Sequence, residues 1–277
     1  MNELTDSPFF SVIIPCYNSG RTIIPTLNSV INQTYKDFEI VVIDDGSEDG
    51  SGELIKNFFL NRDVRFRYFR QANSGPAKAR NEGVRKATGK YVAFLDADDC
   101  WHPQKLEVVF NVVSRDAVPC LAHKATLDQD ILNKRLLPES FELMRVSFPM
   151  ILLKNFATTP SVVIKRENFL WFNEKMRFAE DHDLWLRTAF SYGLYKLKMP
   201  LVVLNRLPLT SGGLSASRWN MRKGEIKMYW NLKELNRAFM VMFPFLALFS
   251  LAMYIKTLAV GDVRHFLRTF MEKRRKS

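Results

Sequence analysis

FEIVVIDDGS, residues 38–47, opens with a six-residue run, apolar except for Glu39, that stops abruptly at two aspartates, a glycine and a serine. A largely apolar run of this length reads as a strand buried on both faces, as in a parallel sheet covered by helices. FFSVIIP at residues 9–15 is a second such run, and residues 19–33 between them carry Ile23, Ile24, Leu27, Val30 and Ile31 at helical spacing. Strand, helix and strand within about 35 residues is the size of a right-handed crossover unit.

The pattern continues outward. It predicts a helix from Gly46 and Ser47 to about Leu60, a strand at 64–69, a helix at 76–87 and a fourth strand at 91–95 ending at Asp96. In open α/β sheets, ligands lie beyond the carboxyl ends of the strands, so the polar clusters after strands one, two and four should converge. After Pro103 we expect a helix to about Ser114, a strand near 118–123 and a loop or lid over 126–140. A helix near 147–156, a strand at 161–164 and a helix at 181–192 follow.

The chain has 277 residues, 47% hydrophobic and 25% charged, which describes a folded globular protein with a core large enough for an enzyme. Its three cysteines are too few and too scattered for a disulfide framework or a four-cysteine zinc site. The first residues, MNELTDSPFF, lack the basic-then-apolar pattern of an export signal, so the expected location of the catalytic part is cytoplasmic.

Four polar clusters carry the chemistry. Asp44-Asp45-Gly46-Ser47 presents carboxylates that can accept the ring N–H of a uracil or thymine, and it can equally cap a helix. Asp96-Ala97-Asp98-Asp99 brings together three carboxylates that repel one another unless a cation neutralises them. A hard divalent ion there would bridge to a diphosphate leaving group. Asn73-Ser74-Gly75-Pro76 opens a helix bearing Lys78 and Arg80, a start suited to a phosphate or to a plain helix with a basic face. Glu180-Asp181-His182-Asp183 begins another helix, where one acid could serve as a general base while the others cap it. No Gly-x-Gly-x-x-Gly and no Gly-Lys-Ser/Thr phosphate loop occurs, which removes the main signatures of dinucleotide enzymes and P-loop ATPases.

In this order and spacing the motifs resemble those of family 2 glycosyltransferases: Ser11–Asn18, Val42–Ser47, Asn73–Gly75 with Ala79–Asn81, Asp96–Asp99 and Glu180-Asp181. The resemblance covers about residues 9–205 and implies an α/β GT-A fold with a mostly parallel, Rossmann-like sheet. It further implies a nucleoside-diphosphate sugar donor, a divalent cation (Mn2+ or Mg2+) and inversion at the anomeric carbon. Carried over, Pro15, Tyr17, Asn18, Asp44, Asp45, Asn73, Gly75, Lys78, Arg80, Asp96 and Asp98 correspond to the donor site. Asp98, with Asp99 as the alternative, corresponds to the metal ligand, and Asp181 to the base. Pro76 departs from the small or hydrophobic residue the family often has. The Gln-x-x-Arg-Trp motif of processive synthases is missing, so addition of a single sugar is expected.

Residues 1–215 are thus expected to form the catalytic domain and residues 216–277 a helical appendage. Residues 218–277 hold 13 Lys/Arg against four Asp/Glu, most of the net charge of +11. Within them, 238–255 is 18 residues without a charge, about 27 Å as a helix and close to the thickness of a bilayer core. Basic flanks on both sides argue against a simple span, because Lys and Arg stay cytoplasmic. The expectation is an in-plane or re-entrant helix pair broken near Pro244, on an anionic membrane at the cytoplasmic face; a helix packed on protein or on a dimer partner is the alternative. The acceptor expected on this reading is a glycan or glycolipid. Two other classes fit less well. A nucleotidyltransferase needs a basic glycine-rich loop where Pro15-Cys16-Tyr17-Asn18 stands, and a nucleic-acid binder needs aromatics among the cations of 272–277.

Overall fold

The computed structural model of the chain describes residues 7–136, 142–205 and 217–275, with side chains of the last stretch as far as Thr257. The chain forms two units, Met1–Leu207 and Pro208–Ser277. The boundary expected at 215/216, the end of the 126–140 loop and the side chains of the basic tail lie outside the described residues.

In the first unit, β1 (Phe10–Cys16), α1 (Ile23–Ile31), β2 (Phe38–Asp44), α2 (Ser51–Phe59), β3 (Phe66–Arg70), α3 (Pro76–Lys86) and β4 (Tyr91–Phe94) follow one another as the apolar runs predict. The four strands are parallel in the order β3-β2-β1-β4. Every residue of β2 is buried, which is why its sequence shows no alternation of apolar and polar residues; its two acids, Glu39 and Asp44, are buried with hydrogen-bond partners. α3 approaches β1 closely: a Cβ placed on Gly83 would lie 2.2 Å from Ile13 Cγ2, so only glycine fits at that crossing.

The second half of the sheet is mixed. β5 (Cys100–Trp101), α4 (Lys105–Asp116), β6 (Cys120–Thr126), β7 (Leu143–Val146), α5 (Phe148–Leu153), β8 (Val162–Lys165), α6 (Glu180–Ser191) and β9 (Leu194–Val203) complete the unit. β8 runs antiparallel between β4 and β6, and β9 lies parallel to β6 and antiparallel to β5 and β7. A 3-10 turn at Gln129–Asn133 occupies part of the stretch expected to be a loop. β5, β7 and β9 were not expected from the sequence.

The second unit contains α7 (Arg218–Asn231) and α8 (Phe239–Arg275). The expected break at Pro244 does not occur, because α8 continues through it. Pro244 stands just past a tightened first turn, in which Phe239, Met240 and Val241 donate to the residues three positions earlier. As the sixth residue of α8, Pro244 has no N–H to give to the Met240 carbonyl, and the helix continues without that one bond. The partner that makes a helix pair is instead α7.

Candidate functional site

The carboxyl ends of β1, β2 and β4 are neighbours in the sheet, and their loops are bonded to one another. Pro15 lies near the end of β1, opposite Ile43 of β2 and two residues past the last residue of β1 in register with β4. Tyr17 is half exposed beside it. Asn18 adopts a left-handed backbone (φ 48°), which asparagine tolerates. Its N–H donates to Ser47 Oγ (3.0 Å) and its Oδ1 accepts from Glu48 N (2.9 Å).

Asp44 and Asp45 divide the work of the β2 end. Asp44, 1% exposed, accepts from Ser47 N (2.8 Å) and Tyr68 Oη (2.5 Å), so it lies under β3 as part of the frame and away from the ligand-facing surface its sequence position promised. Burial and the Asp44 carboxylate push the Tyr68 hydroxyl above its ordinary range and keep it a donor. Asp45 reaches the other way: Oδ1 accepts from Gln71 Nε2 (2.7 Å) and Ser74 N (2.9 Å), and Oδ2 accepts from Gly75 N (2.8 Å). It thereby fixes the turn in which Gly75 takes φ +90° and opens α3. Asn73 is exposed and Lys78 partly exposed on this edge.

The acidic motif after β4 also divides. Asp96 Oδ1 accepts from Arg80 Nη2 (2.8 Å) and its side chain is 31% exposed. Asp98 is partly exposed, whereas Asp99 is buried and accepts from Asn205 N (2.9 Å). Behind Asp99, the buried Lys105 donates to the Pro160 carbonyl (2.9 Å) and lies 3.5 Å from the Trp101 ring centroid. Burial lowers its pKa well below the ordinary lysine value, opposed by the Asp99 charge. Asp98 is therefore the better placed of the two expected metal ligands. Among the described residues no group of three or more His, Cys, Asp or Glu converges on a point that could hold an ion. Magnesium-type sites completed by substrate phosphates and water need only one or two carboxylates, which Asp98 with Asp96 can provide.

Arg80 differs most from its expected role. Its side chain is only 8% exposed, its Nη1 reaches Glu180 Oε1 (3.3 Å) as its Nη2 reaches Asp96, and the Phe172 ring lies 5.5 Å away. The reason is electrostatic: carboxyl groups from two distant motifs meet here, and one guanidinium bonds to both. Neighbouring Asn81 holds the backbone of Phe172 through both amide groups (2.9 Å each).

α6 begins after Ala179 in a left-handed conformation (φ 57°). His182 Nε2 donates to the Ile151 carbonyl (2.6 Å), and buried Asp183 pairs with Arg187 (2.8 Å), so both hold the helix in place. Asp181 remains partly exposed. Its Oδ1 accepts from His182 N (2.7 Å) and its Oδ2 from Asn155 Nδ2 (3.1 Å). Asn155 escaped the sequence reading because nothing local links it to a residue 26 positions away.

Burial, then the Asp181 charge, push the Glu180 carboxyl up to about 7 against the pull of Arg80. An unfolded glutamate titrates near 4.5, so the folded state holds the proton more tightly between these values. Stability is therefore expected to fall as pH rises from about 4.5 to about 7. Glu180→Gln should flatten that slope. Urea unfolding of both proteins at pH 5 and pH 8 checks it, and parallel slopes would show that Glu180 does not carry the dependence.

The family model for "Glycosyl transferase family 2" matches residues 11–176. An uncharacterized glycosyltransferase of Rickettsia bellii is 39% identical over 183 residues, 64% of this chain and 26% of that protein. The amylovoran biosynthesis glycosyltransferase AmsB of Erwinia amylovora is 29% identical over 236 residues, 79% of this chain and 74% of its own. This chain spans less than a third of the length of the Rickettsia relatives first matched. Among solved structures, S. aureus TarS 1–349 in complex with UDP-GlcNAc superposes with TM-score 0.64 at 22% identity, over 80% of this chain and 66% of that one. The mannosyltransferase PcManGT of Pyrobaculum calidifontis, in complex with GDP-Man and Mn2+, gives 0.62 at 19% identity, over 95% and 81%. The fold is that of the GT-A enzymes.

Proposed function

The chain belongs to glycosyl transferase family 2, and from that premise we propose that it transfers one sugar from a nucleoside-diphosphate sugar of the UDP or dTDP type to an acceptor hydroxyl, with inversion at the anomeric carbon. The observation that carries the reading is the Arg80 guanidinium, bonded to Asp96 of the donor motif and to Glu180 beside Asp181. A single buried cation thereby ties the donor carboxylates to the helix that bears the candidate base.

Each residue then has a task. Asp45 has three of about four acceptor positions filled by its own chain, and the remaining one suits the imide N–H of uracil or thymine. Lys78 and the α3 start face the diphosphate, and Tyr17, Asn18 and Asn73 border the nucleoside. Asp98, with Asp96, would hold Mn2+ or Mg2+, which would supply positive charge to the diphosphate leaving group. Asp181 accepts the proton of the acceptor hydroxyl while its oxygen bonds to the anomeric carbon from the face opposite the diphosphate. The bond to the diphosphate oxygen breaks, and its electron pair leaves with the nucleoside diphosphate.

The acceptor we assign is a glycan or glycolipid of surface-polysaccharide or lipid-linked glycan synthesis, and the place is the cytoplasmic face of an anionic membrane. The name of the Erwinia relative supports the first. For the second, Phe239–Thr257 has a mean hydropathy of 1.8 and only 11% of it is buried. Thermal shift with a panel of nucleotide sugars and Mn2+ or Mg2+ tests the donor reading, since a bound donor raises the melting temperature by mass action. A shift with UDP- or dTDP-sugars that vanishes with EDTA is expected; no shift with any nucleotide sugar would contradict it.

A further inference from the structure

The second unit contains a juxtaposition that limits how its apolar segment can meet lipid. α7 and α8 run antiparallel, joined through the turn at Leu232–Glu234. Trp230 meets Phe243 near the joined end (ring centroids 5.1 Å) and Trp219 meets Tyr254 far along it (5.4 Å). α7 therefore runs beside the middle of the apolar stretch Phe239–Thr257. Between these contacts the buried Ser250 hydroxyl donates to Glu225, which also pairs with Arg222.

The most exposed large apolar residues of α8, among those described, form a stripe. Val241, Phe245, Leu248 and Ile255 are 75%, 72%, 64% and 66% exposed, and their spacing of four, three and seven keeps them on one face. α7 brings Arg222, Lys223, Glu225 and Lys227 to the same level. Were α8 to cross a bilayer, these charges would lie at hydrocarbon depth, where each is disfavoured by roughly a hundredfold. Trp219 and Trp230 are eleven residues apart, within about 20° of each other around α7. Each is 44% exposed, with a lysine ammonium over its ring, Lys223 at 5.6 Å and Lys233 at 3.9 Å. Half-exposed tryptophans next to cations suit the boundary between headgroups and acyl chains.

We propose that α7 and α8 form a monotopic anchor, in which the Val241–Ile255 stripe enters one leaflet of an anionic phospholipid membrane and α7 lies beside it at headgroup level. This rests on the membrane reading above and adds its depth, face and topology. Charge selects lipid over a second copy of the chain: residues 218–237 carry six Lys/Arg against two acids, and a two-fold dimer through this face would oppose like charges.

The test adds full-length protein, with Cys100 replaced by Ser, to preformed vesicles of phosphatidylcholine and phosphatidylglycerol. Asn236→Cys and Lys256→Cys, both at exposed positions, are probed with a membrane-impermeant maleimide, and a fluorophore on Leu248→Cys is quenched by lipids brominated at shallow or deep acyl carbons. Expected are flotation with the vesicles, reaction of both cysteines from outside, and stronger quenching by shallow bromines. Protection of Lys256→Cys until detergent is added, or stronger deep quenching, would mean that α8 spans, overturning the monotopic anchor while leaving the membrane reading intact. Failure to float overturns both, and a stable dimer in that case would assign the stripe to a second copy. Phe245→Ser with Leu248→Ser, at exposed positions, should lower the bound fraction severalfold without altering the nucleotide-sugar thermal shift; unchanged binding would also overturn the anchor.

Discussion

Asp181→Asn is expected to lower turnover by roughly 10²–10⁴-fold, the usual contribution of a general base, while leaving donor affinity nearly unchanged. The amide keeps the shape of the side chain, and its one oxygen can still accept from His182 N, so the start of α6 should hold although the bond from Asn155 is lost. What it loses is the capacity to take a proton from the acceptor hydroxyl. The neighbouring acids are poorly placed to substitute: Glu180 is buried against Arg80, and Asp183 is buried and paired with Arg187. Release of nucleoside diphosphate under saturating donor, alongside donor titration, separates the two effects. Turnover within a few-fold of wild type would take the role of base away from Asp181, and a parallel loss of affinity would mark the substitution as structural.

Asp98→Asn is expected to weaken metal-dependent donor binding by at least about tenfold, because it removes the partly exposed carboxylate proposed to hold the metal. Asp99→Asn should behave differently. Asp99 is buried and bonded to Asn205 N, with Lys105 behind it, so its replacement should lower stability more than metal affinity. Calorimetric titration of donor with and without Mn2+, together with melting temperatures of both variants, checks the pair. Equal donor affinity of Asp98→Asn and wild type in Mn2+ would move the metal away from Asp98.

The parallel half of the sheet was legible in the sequence because β1, β2 and β4 are covered on both faces, and covered strands are written as largely apolar runs. The antiparallel half was not. β5 is two residues long, β7 reads Leu-Met-Arg-Val, and β9 contains Pro200 at a shift of register against β6, so none carries the expected period. Among the proposed site residues, Asp45, Asp96, Asp98 and Asp181 were picked out from their places at strand and helix ends. Arg80 was found but read as a phosphate contact, since no sequence pattern shows that Asp96 and Glu180 meet on opposite sides of it. Asp44 and Asp99 look equivalent to their neighbours in sequence and differ only in which way the strand end turns them. Pro244 was read as a break because a proline inside a helix removes a backbone bond and crowds the preceding turn, yet α8 runs through it.

The most direct measurement is calorimetric titration of UDP and dTDP, with their sugar conjugates, into the full-length wild-type protein in Mn2+ and again in EDTA. Saturable binding of one nucleotide at one site per chain, lost or weakened at least about tenfold in EDTA, is the expected result. Absence of binding by every nucleotide tried, or equal affinity with the metal removed, would contradict a metal-assisted transfer from a nucleoside-diphosphate sugar.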